Sequence, residues 1–265
     1  MIDKKKKQGR NSIPAAGTIL QCRAILSDLD GTLVDSEHCV DYSWEVWANS
    51  RSLDLNYVVS NCHGRRTIDS VKLLTPHLDT GEEVAYLEDL EVGCTKNLKA
   101  IPGAKALVSS IKAASSRDNF AVVTSGSHRL ATHRLSYVGL PIPEVFITAE
   151  AVLEGKPSPE GYLKAAERLG VAPADCIVLE DSPAGIEAAR RAGMTAIGIA
   201  IKSADHDISA ACYVVHDLTW LTVQPGQSHH ADAEPFAKGS GNARESQYSS
   251  VLDQFTIQIK APASI

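Results

Sequence analysis

Short apolar runs alternate with segments of helical periodicity from about residue 22 to residue 223. That alternation predicts strand-helix-strand units and an α/β fold: a parallel sheet with helices on both faces. Four runs predict core strands, at residues 24–27, 120–124, 176–179 and 196–199, and a shorter run at 145–147 suits either an edge strand or a loop. The helix signals agree with this phasing. Ser158-Pro159 predicts an N-cap followed by proline at the first helical position, with Gly170 closing that helix; Ser182-Pro183 and Gly193 repeat the arrangement one unit later.

The pattern breaks between the first strand and Pro102-Gly103. Val40, Trp44, Trp47 and Ala48 recur at helical spacing, and a further helix is predicted over 82–98. The expected organisation is therefore a core domain from residues 22–36 and 102–223, with a small helical cap, 37–101, inserted into it. A cap placed straight after the first strand suits a lid over a site at that strand's end, although a packing appendage would give the same pattern. Residues 1–21, with the run Lys4 to Lys7, read as a solvated, disordered tail, and 224–250 as a polar, mobile loop in which His229-His230 lacks further metal ligands. In 251–265, Phe255, Ile257 and Ile259 alternate with polar residues, predicting a strand that pairs with 221–223 at the sheet edge.

A chain of 265 residues that is 44% hydrophobic can bury a full core, and a monomer is expected. The net charge of -6, from 26 Lys plus Arg against 32 Asp plus Glu, supplies no general field for nucleic acid or an anionic membrane. An anionic ligand must be handled locally. Six cysteines without a C-x-x-C pair suit reduced thiols, and no run approaches a membrane span, so a cytoplasmic protein is expected.

The chemistry begins in SDLDGTLVDS, residues 27–36, at the mouth of the first strand. Asp28 and Asp30 stand one strand period apart on the same side: one carboxylate can attack an electrophile while the other moves a proton. Gly31 permits a sharp turn, and Thr32 offers a hydroxyl and N–H groups to an anion. Taken alone, the turn would also suit calcium or a plain loop. In an open parallel sheet, however, residues after each strand converge on one crevice. Thr124, Ser125 and Gly126, placed before a helix, can hold phosphoryl oxygens or simply cap that helix. Lys156, in EGKPSPE, is kept extended by Pro157 and would balance the nucleophile and a phosphate if held beside the acidic cluster, although a surface lysine would give the same sequence; Glu180-Asp181 ends an apolar strand. Four carboxyl groups in one crevice would not all stay ionised without a cation, and all-oxygen ligands suit Mg²⁺. The expected ligands are Asp28, Asp30 through its backbone carbonyl, Asp181, and Glu180 either directly or through water.

The segments DLDGT, VTSGS, the lysine of GKPSPE and LEDSPAG resemble, in order and spacing, the haloacid dehalogenase superfamily. The likeness covers about residues 22–223 and is to the helical-cap branch that includes beta-phosphoglucomutase, most of all to its sugar-phosphate and glycerol-phosphate phosphatases. It implies a Rossmann-like core, Mg²⁺, and an aspartyl-phosphate formed on Asp28. Asp30 would protonate the leaving alcohol and then activate water, with Thr124 or Ser125 and Lys156 holding the phosphoryl group. The dehalogenases lack the second aspartate. A phosphomutase shares every core group, but the mutase cap carries an arginine near the position of Thr67, where this chain has Arg65 and Arg66. His63, Arg65 and Arg66 are the cap residues expected to contact a small phosphorylated metabolite. A metal-binding protein without turnover would keep the same core residues.

Overall fold

The computed structural model describes residues 17–62, 65–115, 117–201, 207–225 and 254–260. In chain order the elements are β1 (Thr18–Cys22), β2 (Ala24–Ser27), β3 (Val34–Asp35), α1 (Glu37–Ser50), α2 (Leu55–Cys62), α3 (Thr67–Leu74), α4 (Thr80–Gly93), β4 (Lys99–Ala100), α5 (Ala104–Ala114), β5 (Phe120–Val123) and α6 (His128–Val138). They continue with β6 (Val145–Ile147), α7 (Glu160–Leu169), β7 (Cys176–Glu180), α8 (Pro183–Arg191), β8 (Thr195–Ile199), β9 (Tyr213–Val215), β10 (Leu221–Pro225) and β11 (Phe255–Ile259).

Six strands form one sheet in the order β6-β5-β2-β7-β8-β9, with every pairing parallel. β2, β5 and β7 are buried along their whole length because helices cover both faces, which is why they read as unbroken apolar runs. One face carries Ile25, Ile111, Leu135 and Ile177; the other carries Leu26, Tyr162, Val178 and Ile186. The run at 145–147 is a strand, β6, on β5. β2 lies at the sheet's centre between β5 and β7, so the chain leaves it to one side and returns to the other. The crevice at its carboxyl end is the expected ligand site of such a topology.

Helices α1 to α4 form a separate small core around Trp44, Trp47, Val58, Val71 and Leu87. The two tryptophan rings meet edge to face, 5.3 Å between centroids, and the Trp47 indole donates to Glu83, which also takes a fork from Arg51. α4 stops at Gly93 rather than continuing to residue 98, with Asp79 capping its start. The two strands joining cap to core, β3 and β4, pair with each other through Val34 with Ala100 and Asp35 with Lys99.

Two expectations change. Thr18–Cys22 falls in the segment read as a disordered tail, yet it is a strand, because Leu20 and Cys22 pack inward while it pairs with β11. β11 pairs antiparallel with β10, but in a separate three-stranded sheet, β1-β11-β10, rather than on the edge of the parallel sheet. Its buried residues, Phe255, Ile257 and Ile259, pack into the core, and the neighbouring β10 lies against α5. Lys4 to Lys7, His63 and His229-His230 lie outside the described residues. Among the described residues no helix is long and apolar enough to cross a membrane. None of the six cysteines forms a disulfide.

Candidate active site

A cavity of about 720 Å³ lies between the carboxyl ends of the sheet and the cap. Its core wall is formed by Asp28, Asp30, Thr124, Ser125, Lys156 and Asp181, so residues separated by up to 153 positions meet in one crevice. The backbone N–H of Asp28 donates to Leu179 across the β2–β7 junction, fixing the loop that carries the two aspartates. Gly31 follows at φ +82°, and a Cβ there would come within 2.0 Å of the Asp181 carboxylate. Only glycine allows both that turn and that approach.

Lys156 Nζ sits between two acids, 2.5 Å from Asp28 Oδ1 and 2.6 Å from Glu180 Oε1. Glu180 is fully buried and does not face the cavity. Its Oε1 also accepts from the Tyr162 hydroxyl at 3.0 Å, and its Oε2 accepts from the backbone N–H and hydroxyl of Ser182, each at 2.9 Å. The same Ser182 hydroxyl caps α8 by accepting from the Gly185 N–H. A Cβ at Gly185 would lie 1.6 Å from Glu180 Oε1. Glu180 therefore acts as the buried anchor that aims Lys156 at Asp28.

One carboxylate oxygen from each of Asp28, Glu180 and Asp181 lies within 4.8 Å of the other two. An all-oxygen donor set this tight fits Mg²⁺. Asp28 and Asp181 present the cavity-facing oxygens, while both Glu180 oxygens already accept two hydrogen bonds each. Burial pushes Asp28 up to about 7, Lys156 opposing and Glu180 and Asp30 adding to it. Burial, then Glu180 and Asp28, pushes Asp181 well above the usual carboxylate range.

Without a divalent ion these raised carboxyls favour folding at low pH. Between the ordinary aspartate value and about 7 the folded state holds the extra proton, so Asp28's contribution to stability declines as pH rises through that window. A cation needs the ionised form. We expect Mg²⁺ affinity to tighten as pH rises through 7, since Asp28 and Asp181 must both be ionised to hold the ion. Calorimetric titration at pH 6.0 and 7.5 measures this, and an affinity independent of pH would contradict it.

Thr32, expected to face an anion, is instead fully buried and donates to Asp181 Oδ1 at 3.0 Å. It orients a carboxylate. Thr124 is nearly buried, with its hydroxyl accepting from the Gly126 N–H at 3.0 Å, and lines the cavity with Ser125 and Gly126. On the cap, Arg65 and Thr67 face the cavity but Arg66 does not. Arg66 is spent on other partners: it pairs with Asp69 and donates to the backbone carbonyls of Val152 (2.9 Å) and Leu153 (3.0 Å), in the core loop that leads to Lys156. Its guanidinium joins cap to core rather than reaching a substrate.

The sequence reading missed a second set of residues. Asp30 Oδ1 accepts from the Ser36 hydroxyl at 2.7 Å, and Asp30 Oδ2 pairs with Arg134 Nη1 at 2.6 Å. Arg134, only 3% exposed, also pairs through Nη2 with buried Glu91 on α4. The available signal was an arginine on the apolar stripe of α6, among Leu130, Ala131, Leu135 and Val138.

Residues 22–193 match the family described as haloacid dehalogenase-like hydrolase. The chain belongs to that family. Hexitol phosphatase A of Escherichia coli (strain K12) is 39% identical over 207 residues, covering 77% of this chain and 95% of that protein. Glycerol-1-phosphate phosphohydrolase 2 of Saccharomyces cerevisiae is 34% identical over 190 residues, 68% of this chain and 76% of its own length. Among solved structures, beta-phosphoglucomutase from Clostridium difficile superposes with a TM-score of 0.65 at 20% identity, over 75% of this chain and 92% of that one, a likeness of fold. Membership makes the chain a hydrolase and its sheet the family's Rossmann-like core.

Proposed function

We propose that this hydrolase cleaves the phosphate monoester of a small sugar or polyol, using Mg²⁺ and a covalent intermediate on Asp28. The observation that carries the reading is the convergence of Asp28, Asp30, Lys156 and Asp181 at the floor of a capped cavity. The named phosphatase relatives support the substrate class.

In the first step an Asp28 oxygen forms a bond to phosphorus as the ester P–O bond breaks, and Asp30 gives its proton to the departing alcohol oxygen. In the second step water attacks phosphorus, the Asp28–phosphorus linkage breaks, and Asp30 takes the proton from that water. Lys156 keeps Asp28 aimed and places positive charge beside the transferring group, while Thr124 and the amides of Ser125 and Gly126 line the space for its oxygens. Asp28 and Asp181, with the Asp30 carbonyl, would hold Mg²⁺, which when bound would supply the charge that lets an anionic nucleophile meet a phosphate dianion. The cap excludes water and selects the alcohol. Thr67, rather than an arginine, faces the cavity where the resemblance places the mutase arginine, which favours water as the acceptor.

Phosphate release should require Mg²⁺ and should rank a sugar or polyol phosphate above a plain aryl phosphate in kcat/KM. A panel of hexitol, hexose and glycerol phosphates, assayed with and without the ion, tests this. Transfer to a sugar hydroxyl without release, or release that survives complete chelation, would refute it.

A further inference from the structure

Arg134 is the one cationic side chain that joins a reacting group to the cap from within the protein's interior, among the described residues. Its guanidinium spans Asp30 at the cavity floor and Glu91 on α4, and all three belong to different segments: the loop after β2, the core helix α6, and the last turn of a cap helix. Both Asp30 oxygens are thereby occupied, one by Arg134 and one by Ser36 at the threshold of the cap. A second pair between the same helices, Arg129 with Asp89 at 2.7 Å, lies on the surface, with both side chains more than half exposed. An exposed pair of that kind contributes little. The buried fork is different: guanidinium geometry fixes two carboxylates at once, and neither acid is solvated enough to be indifferent to its loss.

We propose that Arg134 is a positioning residue, holding the Asp30 carboxylate in its proton-transfer direction only while Glu91, and with it the cap, is docked on the core. This deepens the phosphatase reading and rests on it for its kinetic consequences. Proton transfer would then be set up by cap docking, so that an open enzyme does not spend its phosphoenzyme or its nucleophile on unselected solvent. Ser36 and Lys156 surround the same floor but reach Asp30 and Asp28 from the core or the linker, and neither reports the position of the cap.

The test uses Arg134→Lys, which keeps the charge and loses the fork, and Glu91→Gln, which keeps the shape and loses the cap's charge. Arg129→Ala is the control for docking in general. With glycerol 1-phosphate, kcat for Arg134→Lys should fall by about 100-fold, as a group misplaced by about 1 Å does, with KM changed by less than about threefold. Glu91→Gln should fall about tenfold in the same direction, and Arg129→Ala should match the parent. With p-nitrophenyl phosphate, whose leaving group needs no proton, Arg134→Lys should show a rapid burst near one nitrophenolate per site and then slow turnover, because only the water step still needs Asp30. A loss of burst amplitude equal to the loss of rate would mean fewer folded sites and would overturn the proposal, as would parental kcat. A crystal structure of Arg134→Lys decides it independently of activity: a displaced Asp30 carboxylate supports the proposal, and an unmoved one refutes it. A parent protein that released no phosphate would instead remove the proposed function.

Discussion

Asp28→Asn is expected to lower kcat by at least about 10⁴-fold while leaving the protein folded and no less stable. The amide has the carboxylate's shape, and its oxygen can still accept from Lys156, so the crevice keeps its packing. It lacks the anionic oxygen that must bond to phosphorus. The stability half of this expectation follows from the environment. Asp28 is nearly buried and is pushed up to about 7 by that burial, with Glu180 and Asp30 as repelling neighbours. A group held so far above its ordinary value opposes folding at pH 8, where it must ionise, and removing the charge removes that cost. In the absence of Mg²⁺ the variant should therefore melt at or above the parental temperature at pH 8, and Mg²⁺ should raise its melting temperature less than it raises the parent's, since one ligand has lost its charge. Single-turnover phosphate release together with melting curves at two Mg²⁺ concentrations measures both halves. A variant that turns over at near-parental rate would take the nucleophile's role away from Asp28. One that fails to fold would show that the charge, rather than the shape, holds the crevice together.

The sequence made the floor of the site legible because most of its residues follow directly on an apolar strand, and the rule that parallel strands deliver their carboxyl ends to one crevice needs no knowledge of the distance between them. Asp28, Thr124 and Asp181 meet for that reason, and Lys156 joins them from the loop after β6, held by Glu180. The expectation failed for Thr32 and Arg66, and the cause is shared. Both were read as donors facing a ligand, yet each satisfies an acceptor of the protein itself: Thr32 the Asp181 carboxylate, Arg66 the carbonyls of Val152 and Leu153. A donor's type is written in the sequence, but the direction in which it points depends on which unpaired acceptor the fold brings nearest. Arg134 and Glu91 were invisible for the complementary reason. Each is one of several charged residues on its helix, and only the docking of α4 against α6 turns these two into one buried fork. The pairing of β10 with β11 was legible in the alternation of Phe255, Ile257 and Ile259, whereas β1 was not, because it lies more than 200 residues from β11 and an alternating strand suits the edge of any sheet.

Lys156→Met should produce the second large effect, and a test of the cation's role that does not rely on turnover alone. The methionine fills the same volume but leaves Asp28 and Glu180 facing each other without their shared countercharge. Breaking a buried ion pair by removing one partner costs about 3–5 kcal/mol, which for a chain of this size corresponds to a melting temperature lower by about 10 °C. The loss should be smaller at pH 6 than at pH 8. Asp28 is already pushed up to about 7 with the lysine present, and without it the carboxyl takes up a proton more readily still, which relieves the repulsion as pH falls. Mg²⁺ should restore more stability to the variant than it adds to the parent, because an ion entering beside two uncompensated carboxylates is bound more tightly than one that meets an ammonium group already there. Activity follows a different course. The transferring phosphoryl group loses a fixed positive neighbour, for which a fall in kcat of about 10² to 10³ is expected, and added Mg²⁺ should not recover it, since the ion would be held by Asp28 and Asp181 while the lysine's place lies between Asp28 and Glu180. Calorimetry at the two pH values with and without the ion, read beside kcat, separates the two consequences. Equal Mg²⁺ stabilisation of variant and parent, with no destabilisation at pH 8, would mean that Lys156 does not balance these acids and that the crevice is neutralised by other means.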